Sequence, residues 1–462
     1  MTANSAIPTE LGTEKIGKLL KQYALPAIIA QTAASLYNMV DSIFIGQGVG
    51  PLAISGLAVT FPLMNLSTAF GTLVGAGAAT MLSVLLGQKN YKAANKVLGS
   101  VVTLNIIIGL IFMAVSLAFI DPILYFFGAS ENTLPYAKEY MKIILYGNII
   151  THLYFGLNAA MRSSGSPKKA MGLTIFTVLF NTILDPIFIF VFDMGIAGAA
   201  WATVIAQTAA MFVVLHHFND RRRPFHFEKA FFRLDLRVAK DSLAIGMGPF
   251  LMNAAACLVT LFINQQLREH SGDLGIGAYG ICNRFAFMFI MICMGLNQGM
   301  QPIAGYNYGA RQYGRVKEVF WKTAKLAVVM TTICFIFGMF FPKMAVGIFT
   351  HDEELMNLAA RALRILTCLF PIVGFQMIST NFFQSLGMVK KSVILSLSRQ
   401  ILFLLPLLYT LPIWMGSDGV WFSFPISDAL ATLMTILMMN RLFSKFNKLK
   451  DGDDPTILGS QL

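Results

Sequence analysis

Residues 87–97 read GQKNYKAANKV, and residues 309–319 read GARQYGRVKEV. The two stretches share a glycine, a tyrosine and a closing valine in one register, 222 residues apart. The same shift aligns Ser163, Gly165, Lys168 and Lys169 with Ser385, Gly387, Lys390 and Lys391. With a slip of one residue, Met194, Gly195 and Gly198 match Met415, Gly416 and Gly419, and Pro26 matches Pro249. The chain therefore carries two copies of one unit, and the fold of the first half is the fold of the second.

The composition says what surrounds that unit. Of 462 residues, 56% are hydrophobic and 13% charged, against about 25% charged in ordinary soluble domains. The surplus apolar residues come in runs of roughly 20 or more, the length that crosses a bilayer as a helix. Spans are expected near 19–44, 53–85, 97–120, 134–160, 170–192 and 195–218, then 242–267, 276–307, 319–341, 356–384, 391–412 and 418–440. This predicts an all-α polytopic membrane protein with twelve transmembrane helices in two six-helix bundles. The N-lobe is 1–218, a basic linker covers 219–241, the C-lobe is 242–440 and a polar tail covers 441–462.

A net charge of +12 raises the question of nucleic acid, but the basic residues sit in short loops between apolar runs, so none is expected as a partner. They alternate by side. Lys15, Lys18 and Lys21, Lys89 to Lys96, Arg221 to Lys240, Arg311 to Lys317 and Arg441 to Lys450 fall on one side; Asp121, Asp193, Asp273, the Asp352 to Glu354 run and Asp418 fall on the other. By the positive-inside rule both termini and the linker are cytoplasmic, as an even number of spans requires. The first apolar run is long enough to remain as an anchor in a plasma (inner) membrane. The five cysteines show no CxxC spacing and read as small buried apolar side chains.

A carboxylate inside the hydrocarbon costs ~2.5–3.5 kcal/mol on insertion scales and points to function. Asp41 lies toward the outer end of span 1. Asp185 lies in span 5, one helical turn after Asn181 and on the same face. At 1.5 Å per residue, Asp185 and Thr203 of span 6 sit about 10–12 Å below the outer ends of their spans. Asp41, Asn181, Asp185 and Thr203 thus come to one level, as an all-oxygen site for a hard cation such as Na⁺ or as paired carboxyls sharing a proton. Water-exposed helix-end carboxylates are the plainer alternative. Pro26 and Pro186 lack an N–H, which frees carbonyls near Gln22 and Thr182 and bends the helix.

The second half does not repeat this set. Asp41 falls opposite Asn264, Asn181 opposite Phe403, Asp185 opposite Leu407, and Thr203 opposite Phe424 or Pro425. Asp428 in span 12, opposite Gln207, is either a second protonation site or a hydrogen-bonded packing residue. Arg284 and Arg399 are its candidate partners, and with Asn264 and Gln207 they are expected to line the cavity. His152 reads as a packing residue.

Taken together, Pro26, Asp41, Asn181 with Asp185 and Pro186, Thr203, the Met161–Gly165 stretch and QPIAGYNYG at 301–309 resemble the multidrug and toxic compound extrusion (MATE) family, in its DNA-damage-inducible-F-like branch. The resemblance covers nearly the whole chain. It implies a V-shaped pair of lobes that alternates access and exports cationic or amphipathic organic compounds against H⁺ or Na⁺. It also implies that Asp41, Asn181, Asp185 and Thr203 hold the ion, and that Tyr37 and Asn158 line the N-lobe cavity. Relatives with acidic residues in spans 7 and 10 are matched here by Asn253, Asn264 and Gln376, so a C-lobe cation site is not implied. Small organic substrates and the bilayer are the expected partners, a single chain is the expected working unit, and no cofactor is called for beyond the coupling ion. A flippase for lipid-linked saccharides is the nearest alternative, but it calls for several cavity arginines. An enzyme calls for a convergent nucleophile, base or metal set, and the six histidines form no HExxH pair.

Overall fold

The computed structural model describes residues 9–220, 225–228, 235–350 and 352–454, and no strand occurs among them. Helix is what hydrocarbon demands, since each backbone N–H and C=O must find a partner within its own segment. Among the described residues ten helices are long and apolar enough to cross: Ile16–Ile45, Leu52–Gly87, Tyr91–Ala118, Pro167–Val191, Gly195–Asn219, Leu236–Gly272, Leu274–Gly309, Tyr313–Phe340, Val389–Met415 and Ser417–Phe446. They are spans 1–3, 5–9, 11 and 12.

The two remaining spans differ from the expected continuous helices. Span 10 is a pair, Glu353–Thr367 and Phe370–Ser385, bent by 53°. Span 4 is interrupted at the same place in the first copy, as Leu134–Tyr146 and Asn148–Ser163. Gly147 marks one break, and Pro371 opens the new helix after the other. The first piece of span 4 carries Lys138, Glu139 and Lys142, which explains why its hydropathy is weak.

The repeat extends to backbone conformation. Left-handed residues occur in pairs at the 222-residue shift: Gly50 (φ 113°) with Gly272 (61°), Lys89 (59°) with Arg311 (56°), and Gly165 (94°) with Gly387 (70°). Left-handed φ costs a non-glycine residue about 1–2 kcal/mol, so its presence at both Lys89 and Arg311 marks a closure that the turn requires. The closing bonds match as well. Asn90 N donates to Leu85 O and Gln312 N to Asn307 O, each at 2.9 Å, ending spans 2 and 8 in the same way.

Packing divides the chain into two compact units. The first holds Ile29–Phe250 with the stretch through Thr13, and the second holds Glu14–Ile28 with Leu251–Leu462. The division departs from a cut at the 219–241 linker in two matching places. The base of span 1 belongs to the second unit, and the base of span 7 belongs to the first. Small residues account for both. A Cβ on Gly77 would overlap the Ser242 carbonyl, and one on Gly246 the Leu73 carbonyl. In the second unit a Cβ on Gly299 would collide with the Ala24 backbone, and one on Gly295 with Ile28.

The segment after the sixth span of each half docks instead of trailing free. In the first unit Phe225 packs against Tyr91 at 6.0 Å, Glu228 accepts from Asn95 Nδ2 at 3.1 Å, and Asp235 pairs with Lys96. In the second unit Phe446 packs against Tyr313 at 5.7 Å, whose hydroxyl donates to the Asp453 carbonyl at 2.7 Å. Tyr91 and Tyr313 are the shared tyrosine of the repeat. The linker residues Arg221, Arg222, Arg223, Lys229 and Arg233 lie outside the described residues, as does the end of the tail after Asp454.

Spans 9 and 10 show how tight the packing is within one unit. A Cβ on Gly374 would stand 2.8 Å from the Ala327 carbonyl oxygen and 2.6 Å from Thr331 Oγ1. Backbone cannot yield as a side chain does, so Gly374→Ala is expected to destabilise by about 1–3 kcal/mol. Gly172 meets nothing within 4 Å, and Gly172→Ala is expected to be neutral or to gain up to ~1 kcal/mol of helix propensity. Thermal unfolding in detergent checks both, read by thiol labelling of the free cysteines, of which Cys282, Cys293 and Cys334 are buried.

Candidate functional site

Span 5 ends in Asp185-Pro186, and the next turn, Ile187–Val191, widens to a π-helix. Pro186 has no N–H to offer Thr182, and the extra residue in the turn absorbs the misfit. This leaves Asp185 at the end of the regular helix, with Asn181 one turn behind it. Asn181 Nδ2 donates to Asp185 Oδ1 at 2.9 Å.

Asp41 reaches the same point from span 1. The side chains of Asp41 and Asp185 share a hydrogen bond, while Asp41 Oδ1 and Asp185 Oδ2 have no other donor among the described residues. Asp41 is 5% exposed, Asp185 0%, Asn181 2% and Thr203 9%. Ionised carboxylates only accept hydrogen bonds. A contact between two of them therefore needs a proton on one or a cation between them, and burial at this depth makes the need acute.

Thr203 completes the level from span 6. Its hydroxyl donates to the Ala199 carbonyl at 3.1 Å and is also hydrogen-bonded to Tyr140. Tyr140, from the first piece of span 4, is 1% exposed and lies within electrostatic reach of both Asp41 and Asp185. It is not among the residues expected from the sequence. Tyrosine is an ordinary residue in an apolar run, and no motif sets Tyr140 apart from Tyr136 or Tyr146 nearby.

The other expected residues lie elsewhere. Asn158 is buried beside the Ala170 carbonyl (3.3 Å) and Thr174 Oγ1 (3.4 Å), fifteen residues or about 22 Å down span 5 from Asp185. Thr174 and Thr177 both contact the Tyr154 hydroxyl, at 3.4 and 3.3 Å, forming a polar stripe below the carboxyl pair. Gln207 is half-buried and accepts from the Thr151 hydroxyl. The Tyr37 side chain lies outside the described residues. Pro26 is buried within an unbroken helix, Ile16–Gly48. His152 is fully buried against the Ser67 carbonyl at 2.9 Å.

In the second unit Asp428 is 2% exposed and pairs with Arg399, whose Nε donates to Asp428 Oδ1 at 2.5 Å. Of its two candidate partners, Arg399 is the one it meets. Arg284 is exposed and Asn264 is half-buried. The two units thus treat a buried carboxylate differently: one sets it against a second carboxyl and the other supplies a guanidinium.

The MatE family model matches residues 26–187 and 245–410, one segment in each copy of the repeat. The multidrug export protein MepA of Staphylococcus aureus (strain MSSA476) is 28% identical over 439 residues, covering 94% of this chain and 97% of its own length. MepA of Staphylococcus haemolyticus (strain JCSC1435) is also 28% identical, with coverage of 94% and 95%. Among solved structures, the MATE multidrug transporter DinF-BH in complex with a dye superposes with a TM-score of 0.87 at 34% identity, covering 97% of this chain and 98% of that one. An outward-facing multidrug resistance MATE transporter of the MOP superfamily gives 0.89 at 22% identity, with coverage of 97% and 100%, a likeness of fold alone. With both copies matched by one model and relatives aligned end to end, the chain belongs to the MatE family of multidrug and toxic compound extrusion membrane transporters.

Proposed function

We propose that the protein exports cationic or amphipathic organic compounds in exchange for H⁺ or Na⁺, with the coupling ion held by Asp41, Asn181, Asp185 and Thr203. The observation that carries this reading is the meeting of two buried carboxyls whose remaining oxygens lack donors among the described residues. Such a site has an unmet need for positive charge that a proton or a small hard cation fills. Four oxygen-bearing side chains suit Na⁺, and paired carboxyls suit H⁺ equally well.

The export of drugs is supported by the naming of the staphylococcal relatives and by the dye bound to DinF-BH. The basic loops support an orientation with both termini cytoplasmic in a plasma membrane. In alternating access the ion and the organic substrate use the same conformational change in opposite directions, so filling the carboxyl site must alter the preference for one state. A saccharide-lipid flippase draws less support, because it calls for several cavity arginines and the chain offers two candidates, Arg284 and Arg399.

Reconstituted protein should drive ethidium across the vesicle membrane under an imposed pH gradient or an imposed Na⁺ gradient, and the gradient that works names the ion. Asp41→Asn is expected to abolish gradient-driven transport, with the protein still folded and monodisperse in detergent. Transport at the wild-type rate would rule out this carboxyl pair as the coupling site. Tyr140→Phe removes one hydrogen bond from the cluster and leaves both carboxyls in place. It is expected to raise the half-saturating ion concentration about tenfold without abolishing transport, as read from initial rates over a series of gradients.

A further inference from the structure

The ion pair of the second unit is held by one edge. Arg399 Nε contacts Asp428, and among the described residues no hydrogen bond leaves Nη1 or Nη2. The guanidinium therefore keeps up to four unused donors, arranged as a planar fork. The Arg399 side chain is 26% exposed, against 2% for Asp428. A guanidinium turned toward hydrocarbon is costly, and intramembrane arginines face a protein interior or a water-filled cavity.

The surroundings suggest a ligand. Arg399 stands in the π-helical stretch Ser398–Leu404 of span 11, and its carbonyl accepts from the Ser427 hydroxyl of span 12 at 2.6 Å, which fixes the turn. Tyr279 of span 8 lies within electrostatic reach of Arg399 and is hydrogen-bonded to Thr260 of span 7. The Tyr279 ring stacks on Phe424 at 6.0 Å, one turn before Asp428. Cys368, at the bend of span 10, is close enough to feel the Asp428 charge. The Arg399–Asp428 pair of spans 11 and 12 thus stands beside the stacked Tyr279 and Phe424 rings, with span 7 tied to Tyr279 through Thr260 and the bend of span 10 near Asp428. Because Arg399 covers Asp428, whatever enters meets positive donors first.

We propose that Arg399, with the Tyr279 and Phe424 rings, forms a second ligand site that takes the carboxylate or another acidic acceptor of an aromatic substrate. Asp428 holds the guanidinium in place, leaving Nη1 and Nη2 free to bind such a group as a two-point fork. The proposal rests on the drug-export reading and adds selectivity to it. Substrates carrying an acidic group are preferred over their esters, even where both carry the same cation.

Rhodamine 6G is an ethyl ester, and its free carboxylic acid has the same xanthene cation, so the two form a matched pair. Fluorescence anisotropy on the purified full-length protein at neutral pH gives a dissociation constant for each dye. R399Q is expected to lower the acid-over-ester preference about tenfold, the worth of a charge-assisted hydrogen bond. R399K keeps the charge without the fork and is expected to lose part of it. R399Q leaves Asp428 without a counter-ion, so the double variant R399Q/D428N, neutral at both positions, is measured alongside it with the same expected loss. A purely structural Arg399 would weaken both dyes alike and leave the ratio unchanged, which would overturn the proposal. Gradient-driven efflux of rhodamine 6G itself reports on the export reading separately, since the ester lacks the acidic group.

Discussion

Two carboxyl groups in contact, away from water, cannot both be anionic without a cation between them. At an effective dielectric well below that of water, like charges a few ångströms apart repel by several kcal/mol. Asp41 and Asp185 are brought together by spans 1 and 5, with Asn181 bonded to Asp185 and the Thr203–Tyr140 pair of spans 6 and 4 within electrostatic reach. The cluster is stable only as a complex with something positive. What distinguishes it from a structural ion pair is that no cationic side chain among the described residues is paired with either carboxyl, and on the proposed reading the positive partner comes from outside the chain.

The scaffold that holds this cluster is governed by the same low-dielectric constraint, applied to the backbone. A helix in hydrocarbon satisfies itself except where it breaks, so the breaks are few and each is compensated. Pro186 is followed by a π-turn, Gly147 and Pro371 mark the bends of spans 4 and 10, and left-handed residues close the turns after spans 2 and 8. These departures place the chemistry. Asp185 is separated from one π-turn by Pro186 alone, and Arg399 lies within the other.

Most of the architecture is legible in the sequence because hydrophobic length, loop charge and the 222-residue shift are strong, redundant signals. A carboxylate within an apolar run is also conspicuous, which is why Asp41 and Asp185 stand out from the residue pattern alone. Tyr140 does not stand out, because its role comes from a tertiary contact and its residue type is common. Asp428 with Arg399 is intermediate: both charges are visible, but their pairing depends on how the π-turn of span 11 faces span 12. The bends in spans 4 and 10 are obscured because apolar runs continue through them. Asn158, whose cavity role only the resemblance implies, meets span 5 at Ala170 and Thr174, well away from the carboxyl level.

The two copies have kept their backbone and lost their side-chain symmetry, and the physics of each explains the difference. A left-handed turn residue or a glycine under a carbonyl admits almost no substitute, so Gly50 with Gly272, Lys89 with Arg311 and Gly165 with Gly387 still match. Buried charge obeys a looser rule: each unit has to be neutral where water is absent, by whatever means. The second unit meets that rule with its own guanidinium, which leaves Asp428 no need for an outside cation. On the proposed reading the first unit meets it only when an ion is bound. Duplication then does not imply two coupling sites, since on that reading an ion drives the cycle only where its absence leaves a charge uncompensated.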